Sequence, residues 1–120
     1  MTAGSAPLPP PAIVVVLTTL GAGTNAESLA RTLVAEGLAA CVNILPLMTS
    51  VYRWRGVVEQ EREQQLVIKT AADRVEALRV RLRTLHPYEL PEFVVLTAGA
   101  SEAYAAWVGE SLTPSAPSGS

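Results

Sequence analysis

The order of hydrophobic periodicities along this chain predicts an α+β fold, a ferredoxin-like βαββαβ sandwich with an extended hairpin between its second and third strands and a C-terminal helix. Three observations lead there. Apolar runs of strand character recur at 13–17, 39–44, 66–68 and 93–96. Two segments with apolar spacings of three and four lie between the first and second runs and between the third and fourth. Between them, residues 50–70, SVYRWRGVVEQEREQQLVIKT, alternate with a period of two on either side of Arg55-Gly56.

Residues 1–11 and 113–120 are rich in Pro, Ala, Ser and Gly without periodicity, and are expected to be disordered tails on one domain spanning 12–112. The run IVVVL at 13–17 suits a central strand covered by helices. Thr24 and Glu27 have capping-box spacing, hydroxyl to one free N–H and carboxylate back to the other, and open a helix that buries Ala26, Leu29, Ala30 and Leu33. Gly37 provides its left-handed cap. The second strand starts at Ala39 and passes Pro46, which has no N–H to give, through a bend or bulge into the hairpin.

Gly56 supplies the positive φ of the hairpin turn. A two-residue loop at Arg55-Gly56 sets Trp54 opposite Val57 and Tyr52 opposite Glu59, whereas a G1 bulge at Gly56 shifts the pairing by one and exchanges the faces. Both registers stay open at this point. Thr70 and Asp73 repeat the Thr-x-x-acid spacing and open a helix carrying Val75, Leu78, Leu82 and Leu85 inward, with Arg74, Glu76, Arg79, Arg81 and Arg83 as a solvated outer face. Pro87 ends it. Residues 93–96 form the last strand, and 102–112, with Tyr104, Trp107 and Val108, a closing helix.

The hairpin strands, about 39–55 and 57–70, far exceed the usual strand of about 5–6 residues, so the hairpin projects beyond the helices. A ribbon bearing Tyr52 and Trp54 with open edges invites pairing, and docking on other copies in a closed oligomer is expected.

Composition narrows the function. Nine basic and eleven acidic residues give a charge of −2 with no basic stripe among aromatics, which argues against nucleic acid as a partner. The single cysteine, Cys41, closes no internal disulfide, in keeping with a reducing compartment. Residues 12–20 are apolar, yet no Lys or Arg precedes Arg31, so they read as a strand and not as a signal-peptide core. No apolar run approaches the roughly 20 residues of a spanning helix, and a cytoplasmic protein without membrane contact is expected.

Among candidate chemistry, His86, Glu89 and Glu92 cluster around Pro87 and Pro91, and such a set can ligate Cu(II) or Zn(II) where the fold brings it together. The competing reading has His86 cap the preceding helix and hydrogen-bond across a subunit interface. Cys41, on a strand start among apolar neighbours with no base beside it, reads as a small core residue and not as a nucleophile. GAGTNA at 21–26 fits G-x-G-x-x-A, but the following strand enters a hairpin with no ribose-binding acid near 44–47, so it reads as a turn feeding a capped helix.

EGLAACVNI (36–44), SVYRWRG (50–56), the VIKT ending at Thr70 and LHPYELPE (85–92), in that order, resemble the CutA family of divalent-cation tolerance proteins. The resemblance runs over roughly residues 13–112. It implies a ferredoxin-like fold related to the nitrogen-regulatory PII proteins, a homotrimer assembled through long hairpins, and links to copper tolerance and, in animals, to acetylcholinesterase anchoring. The copper ligands it implies are a first-strand cysteine, a histidine just before His-Pro-Tyr and the glutamate of Pro-Glu. Those positions hold Thr18, Leu85 and Glu92, so one of the three is carried over. The resemblance also implies polar side chains gathered in intersubunit clefts, where Tyr52, Trp54, Glu61, Lys69 and Tyr88 would set an aromatic wall, a lysine and carboxylate around a small anionic or zwitterionic ligand. The same aromatics serve equally as interface anchors.

Three functions are therefore weighed. The first is a non-enzymatic homotrimeric binding protein with weak copper or other divalent-metal binding through His86 and Glu92. The second is a PII-like signalling module that binds a small metabolite between subunits and acts on a partner protein. The third, an enzyme, is opposed by the lack of a paired nucleophile and base in the sequence.

Overall fold

The computed structural model describes residues 11–114. Its elements run β1 (Ala12–Gly21), α1 (Ala26–Ala35), β2 (Cys41–Ile44), β3 (Met48–Trp54), β4 (Val57–Thr70), a single 3-10 turn (Ala72–Arg74) leading into α2 (Val75–Leu85), β5 (Val94–Gly99) and α3 (Glu102–Glu110). The α+β ferredoxin-like arrangement expected from the sequence is the one observed. The five strands make one antiparallel sheet in the order β2-β4-β1-β5, with β3 continuing the β2 side of β4. Of the two expected tails, Pro11 accepts a backbone bond from Ala100 and Pro114 packs against Gly37, while 1–10 and 115–120 lie outside the described residues.

Strand alternation divides the side chains between two faces. Val14, Val16 and Leu20 of β1 and Leu66 and Ile68 of β4 turn to one face, packed against Ala26, Leu29 and Leu33 of α1 and Leu78 and Leu82 of α2. The other face is covered at one end, where Val108 of α3 and Leu112 pack on Ile13 and Ala40. Val94 and Leu96 of β5 fall on this second face outside that cluster and remain 42% and 48% exposed.

The helix ends depart from expectation in instructive ways. Asn25, and not Thr24, caps α1, accepting from the Ser28 N–H at 3.0 Å. The Thr24 N–H is turned back to the Gly21 carbonyl at 2.9 Å, which leaves the next residue, an equally good capping type, at the helix entrance. Thr70 likewise caps nothing. It pairs with Val14 as the last residue of β4, and its fully buried hydroxyl donates to the Leu38 carbonyl at 2.9 Å. The C-terminus of α1 meets expectation: Gly37 has φ +74°, its N–H donates to Val34 and the Leu38 N–H to Leu33, the paired bonds of a Schellman motif. Two of the arginines expected on a solvated face are tied to other parts of the chain, Arg81 to both carboxylate oxygens of Glu36 at 2.8 Å and Arg74 to the Leu112 carbonyl at 2.9 Å, while Arg79 pairs with Glu76 on its own helix.

Pro46 does what a strand proline must. Ile44 pairs with Leu66 and Met48 with Glu63, so Leu45, Pro46 and Leu47 stand opposite only Gln64 and Gln65. This extra residue is a bulge, and it rephases the strand. Without it the side chains of Ser50, Tyr52 and Trp54 would fall on the other face of the ribbon. With it they share a face with Glu59, Glu61 and Glu63. At the tip, Arg55 (φ 51°) and Gly56 (φ 82°) are both left-handed, a type I′ turn. Trp54 pairs with Val57 and Tyr52 with Glu59, which settles the register as the two-residue loop.

Candidate functional site

The face prepared by the Pro46 bulge is one wall of a cleft of about 760 Å³, whose other wall is the segment that follows α2, from Tyr88 to Glu92. Three side-chain contacts join the walls. The Tyr88 hydroxyl donates to Glu63 Oε2 at 2.7 Å, Gln65 Nε2 donates to Glu92 Oε2 at 2.8 Å, and Arg55 forks onto the Glu89 carboxylate at 3.1 and 3.2 Å. Gly21 makes the first possible, because a Cβ there would stand 3.1 Å from the Tyr88 oxygen. Across the ribbon the Tyr52 hydroxyl donates to Glu61 at 3.0 Å.

Charge is unevenly distributed here. Glu59, Glu61, Glu63, Glu89 and Glu92 line the cleft with the guanidinium of Arg53, and the guanidinium of Arg55 is paired with Glu89 at its tip. Glu63 is buried to 7% exposure beneath Tyr88. Burial first, and then the bond to Glu63, hold the Tyr88 phenol protonated well above the usual tyrosine range. The bond to Glu61 raises Tyr52 in the same direction. Both tyrosines therefore act as hydroxyl donors to carboxylates throughout the neutral range.

His86, Glu89 and Glu92 are placed apart in function. His86 is buried at the C-cap of α2, its N–H donating to the Leu82 carbonyl at 2.8 Å. Its Nδ1 accepts the Tyr88 N–H at 3.2 Å, so the ring proton sits on Nε2, which donates to the Thr19 carbonyl at 2.7 Å. Burial depresses its pKa and keeps the ring neutral, with the Thr19 bond opposing that shift. Neither ring nitrogen offers a lone pair to a metal in this arrangement, and Glu89 and Glu92 are bonded to Arg55 and Gln65. Among the described residues no three of His, Cys, Asp and Glu converge as a metal-holding group. The set as built does not fit a resident metal. The helix-capping reading of His86 describes its contacts, with the partner carbonyl in its own chain.

Tyr52, Trp54, Glu61 and Tyr88 do gather in the cleft, whereas Lys69 does not. Lys69 lies six residues beyond Glu63 on β4, roughly 20 Å along the strand, and donates to Asn43 Oδ1. Its register partner Cys41 is half-buried on the same face, 4.0 Å from Asn43 Oδ1, and so is not a core residue. Glu59, Glu63 and Gln65 are cleft residues that the sequence reading missed. The signal was available in the odd-numbered acids of β4, which had to fall on one face once that strand was accepted.

A profile of the family described as CutA1 divalent ion tolerance protein matches residues 14–111. The chain belongs to that family. It is 43% identical over 97 residues to the divalent-cation tolerance protein CutA of Thermus thermophilus, covering 80% of this chain and 94% of that one. Among solved structures, CutA from Synechococcus elongatus aligns with TM-score 0.80 and 40% identity over 91% of this chain and 97% of its own. The PII-like protein CutA from Nostoc, solved in apo form, aligns with TM-score 0.77 and 37% identity over 83% and 97%. Within this CutA1 member, Thr18 is fully buried on the helix side of β1, Leu85 packs against the main core, and Glu92 accepts from Gln65. No helix among the described residues is long and apolar enough to cross a membrane.

Proposed function

We propose that this protein is a non-enzymatic, cytoplasmic binding module of divalent-cation tolerance, assembled as a homotrimer, whose acidic cleft takes up divalent cations weakly and exchangeably. The carrying observation is a cleft walled by Tyr52, Trp54 and Tyr88 in which Glu59, Glu61, Glu63 and Glu92 face the single guanidinium of Arg53, Glu89 being paired with Arg55. Carboxylate and hydroxyl oxygens suit hard or borderline cations that keep part of their water, with Cu(II) among those they can hold at low affinity. His86 is left out of this ligand set. Homotrimeric assembly is supported by the edge of β4 from Val57 to Arg62, which β1 does not reach, and by exposed Val94, Leu96, Val57 and Val58, an apolar surface suited to other copies.

The test is calorimetric titration of Cu(II), Zn(II) and Mn(II) into the wild type and a Glu61→Gln/Glu63→Gln variant, beside a mass measurement in solution. A saturable signal lost in the double variant but kept in His86→Gln is expected. Equal binding by all three proteins rejects the cleft, and a monomer at micromolar concentration rejects the assembly. The second reading, a PII-like module that binds a metabolite and acts on a partner protein, is favoured by the PII-like description of the Nostoc relative. It predicts thermal stabilisation by small metabolites in place of metal.

A further inference from the structure

On the helix side of the sheet a second cavity of about 340 Å³ lies between β1, α2 and the segment preceding β5, which divides it from the hairpin cleft. We propose that it binds a small zwitterion of the α-amino-acid class. Its floor is Thr18, fully buried, whose hydroxyl is the one buried side-chain oxygen or nitrogen without a hydrogen-bond partner among the described residues. Burying a hydroxyl unpaired is unfavourable, so a buried threonine lining a cavity is explained by a partner that arrives. Val would fill the same space on this strand without that cost.

The charges around the floor specify the partner. Arg79 and Arg83, one turn apart on α2, line the cavity with Glu89 and Glu92. Arg79 is paired with Glu76, Glu89 with Arg55, and Glu92 with the neutral amide of Gln65. Arg83 has no ion pair or hydrogen bond among the described residues, so the unneutralised lining is one guanidinium and one carboxylate. A metal ion would meet the guanidiniums and an inorganic anion the carboxylates. A molecule carrying both a carboxylate and an ammonium satisfies each, and Leu82, Pro91 and Phe93 leave apolar room for a small side chain. The volume falls at the lower end of ligand pockets, which suits a single amino acid.

Titration of the full chain with glycine, alanine, serine and leucine, against phosphate, glutarate and putrescine, tests this. At least one amino acid should bind saturably, with phosphate and putrescine weaker by tenfold or more. Arg83→Ala should weaken that binding about 10- to 100-fold, the loss of one charged hydrogen bond. Thr18→Val should weaken it while raising the melting temperature of the ligand-free protein, a combination that mere structural damage does not produce. Absence of binding by every amino acid overturns the proposal. So does phosphate or putrescine binding as tightly, or amino-acid binding unchanged in both variants. Glu89, Pro91 and Glu92 border both this cavity and the hairpin cleft, whereas Thr18 and Arg83 line this cavity alone, so the Arg83→Ala and Thr18→Val variants separate amino-acid binding from cation uptake in the cleft.

Discussion

The two halves of β4 are one continuous strand of 14 residues, yet they are built on different terms. From Glu63 to Thr70 the strand is paired with β1 throughout and, from Leu66 to Lys69, with β2 on its other edge, and Leu66, Ile68 and Thr70 are fully buried under α1 and α2. From Val57 to Glu61 it is paired only with β3, and Val57 and Val58 are 57% and 62% exposed. The base half is therefore held by its own core and by the Glu63 and Gln65 bonds to the segment after α2, while the tip half is held by one partner strand and the Arg55–Glu89 pair beside it. Stability and binding are assigned to different ends of the same strand, and mutations should separate them.

The largest difference should come from shortening one aliphatic side chain in each half. Ile68→Ala at the base is expected to cost about 3–4 kcal/mol in denaturant unfolding, since a fully buried side chain leaves a cavity. Val58→Ala at the tip should cost less than about 0.5 kcal/mol in the subunit, and act instead on the mass measured in solution. Equal losses at both positions would break the distinction.

At the junction of the halves, Tyr88→Phe removes the hydroxyl partner of Glu63 and leaves a carboxylate at 7% exposure without its donor. A loss of about 1–3 kcal/mol is expected, toward the lower end because the cleft admits water. The check is unfolding of Tyr88→Phe beside Tyr88→Phe/Glu63→Gln, in which removing the charge should recover part of the loss. No recovery would mean that the ring, and not the hydroxyl, supports the junction.

How much of this was legible beforehand follows the same division. The base half was readable because aliphatic periodicity reports burial directly: Ala26, Leu29, Ala30 and Leu33 are all buried as the spacing requires. Gly37 and Pro46 were readable because a residue with unusual backbone permissions has few places to be. The caps were misplaced because Thr24 and Thr70 satisfied a local pattern while tertiary contacts, the Gly21 turn and the β1 pairing, claimed them first. The cleft was half legible. Its aromatics stood out in composition, but Glu63 and Gln65 sat inside a polar run whose meaning depends on the register set by the bulge. Lys69 was misassigned for the complementary reason, that its distance along β4 does not show in a list of residue types.

His86 gives a pH test of the same junction, since it ties the end of α2 to Thr19 on β1. Its folded pKa lies below the ordinary value of 6.5, because burial disfavours the charged ring. The unfolded chain then binds the proton more readily. The contribution of neutral His86 is full above pH 6.5 and is lost as pH falls from there through the lowered folded value. Unfolding measured between pH 7.5 and 5 should therefore show a steeper decline in the wild type than in His86→Gln, by no more than one proton's worth of slope. Parallel declines would remove His86 from the account.

The smallest effect belongs to the tip. Arg55 occupies a left-handed position that Asn tolerates better, so Arg55→Asn relieves about 1 kcal/mol of backbone strain. It also removes an exposed ion pair to Glu89 worth about 0.2–1 kcal/mol. The net change should be a slight stabilisation. Repeating the substitution in a Glu89→Ala background, where there is no pair left to lose, should give the larger gain. If the two gains are equal, the bridge from the hairpin tip to the segment after α2 contributes nothing, and the tip half of β4 is held by β3 alone.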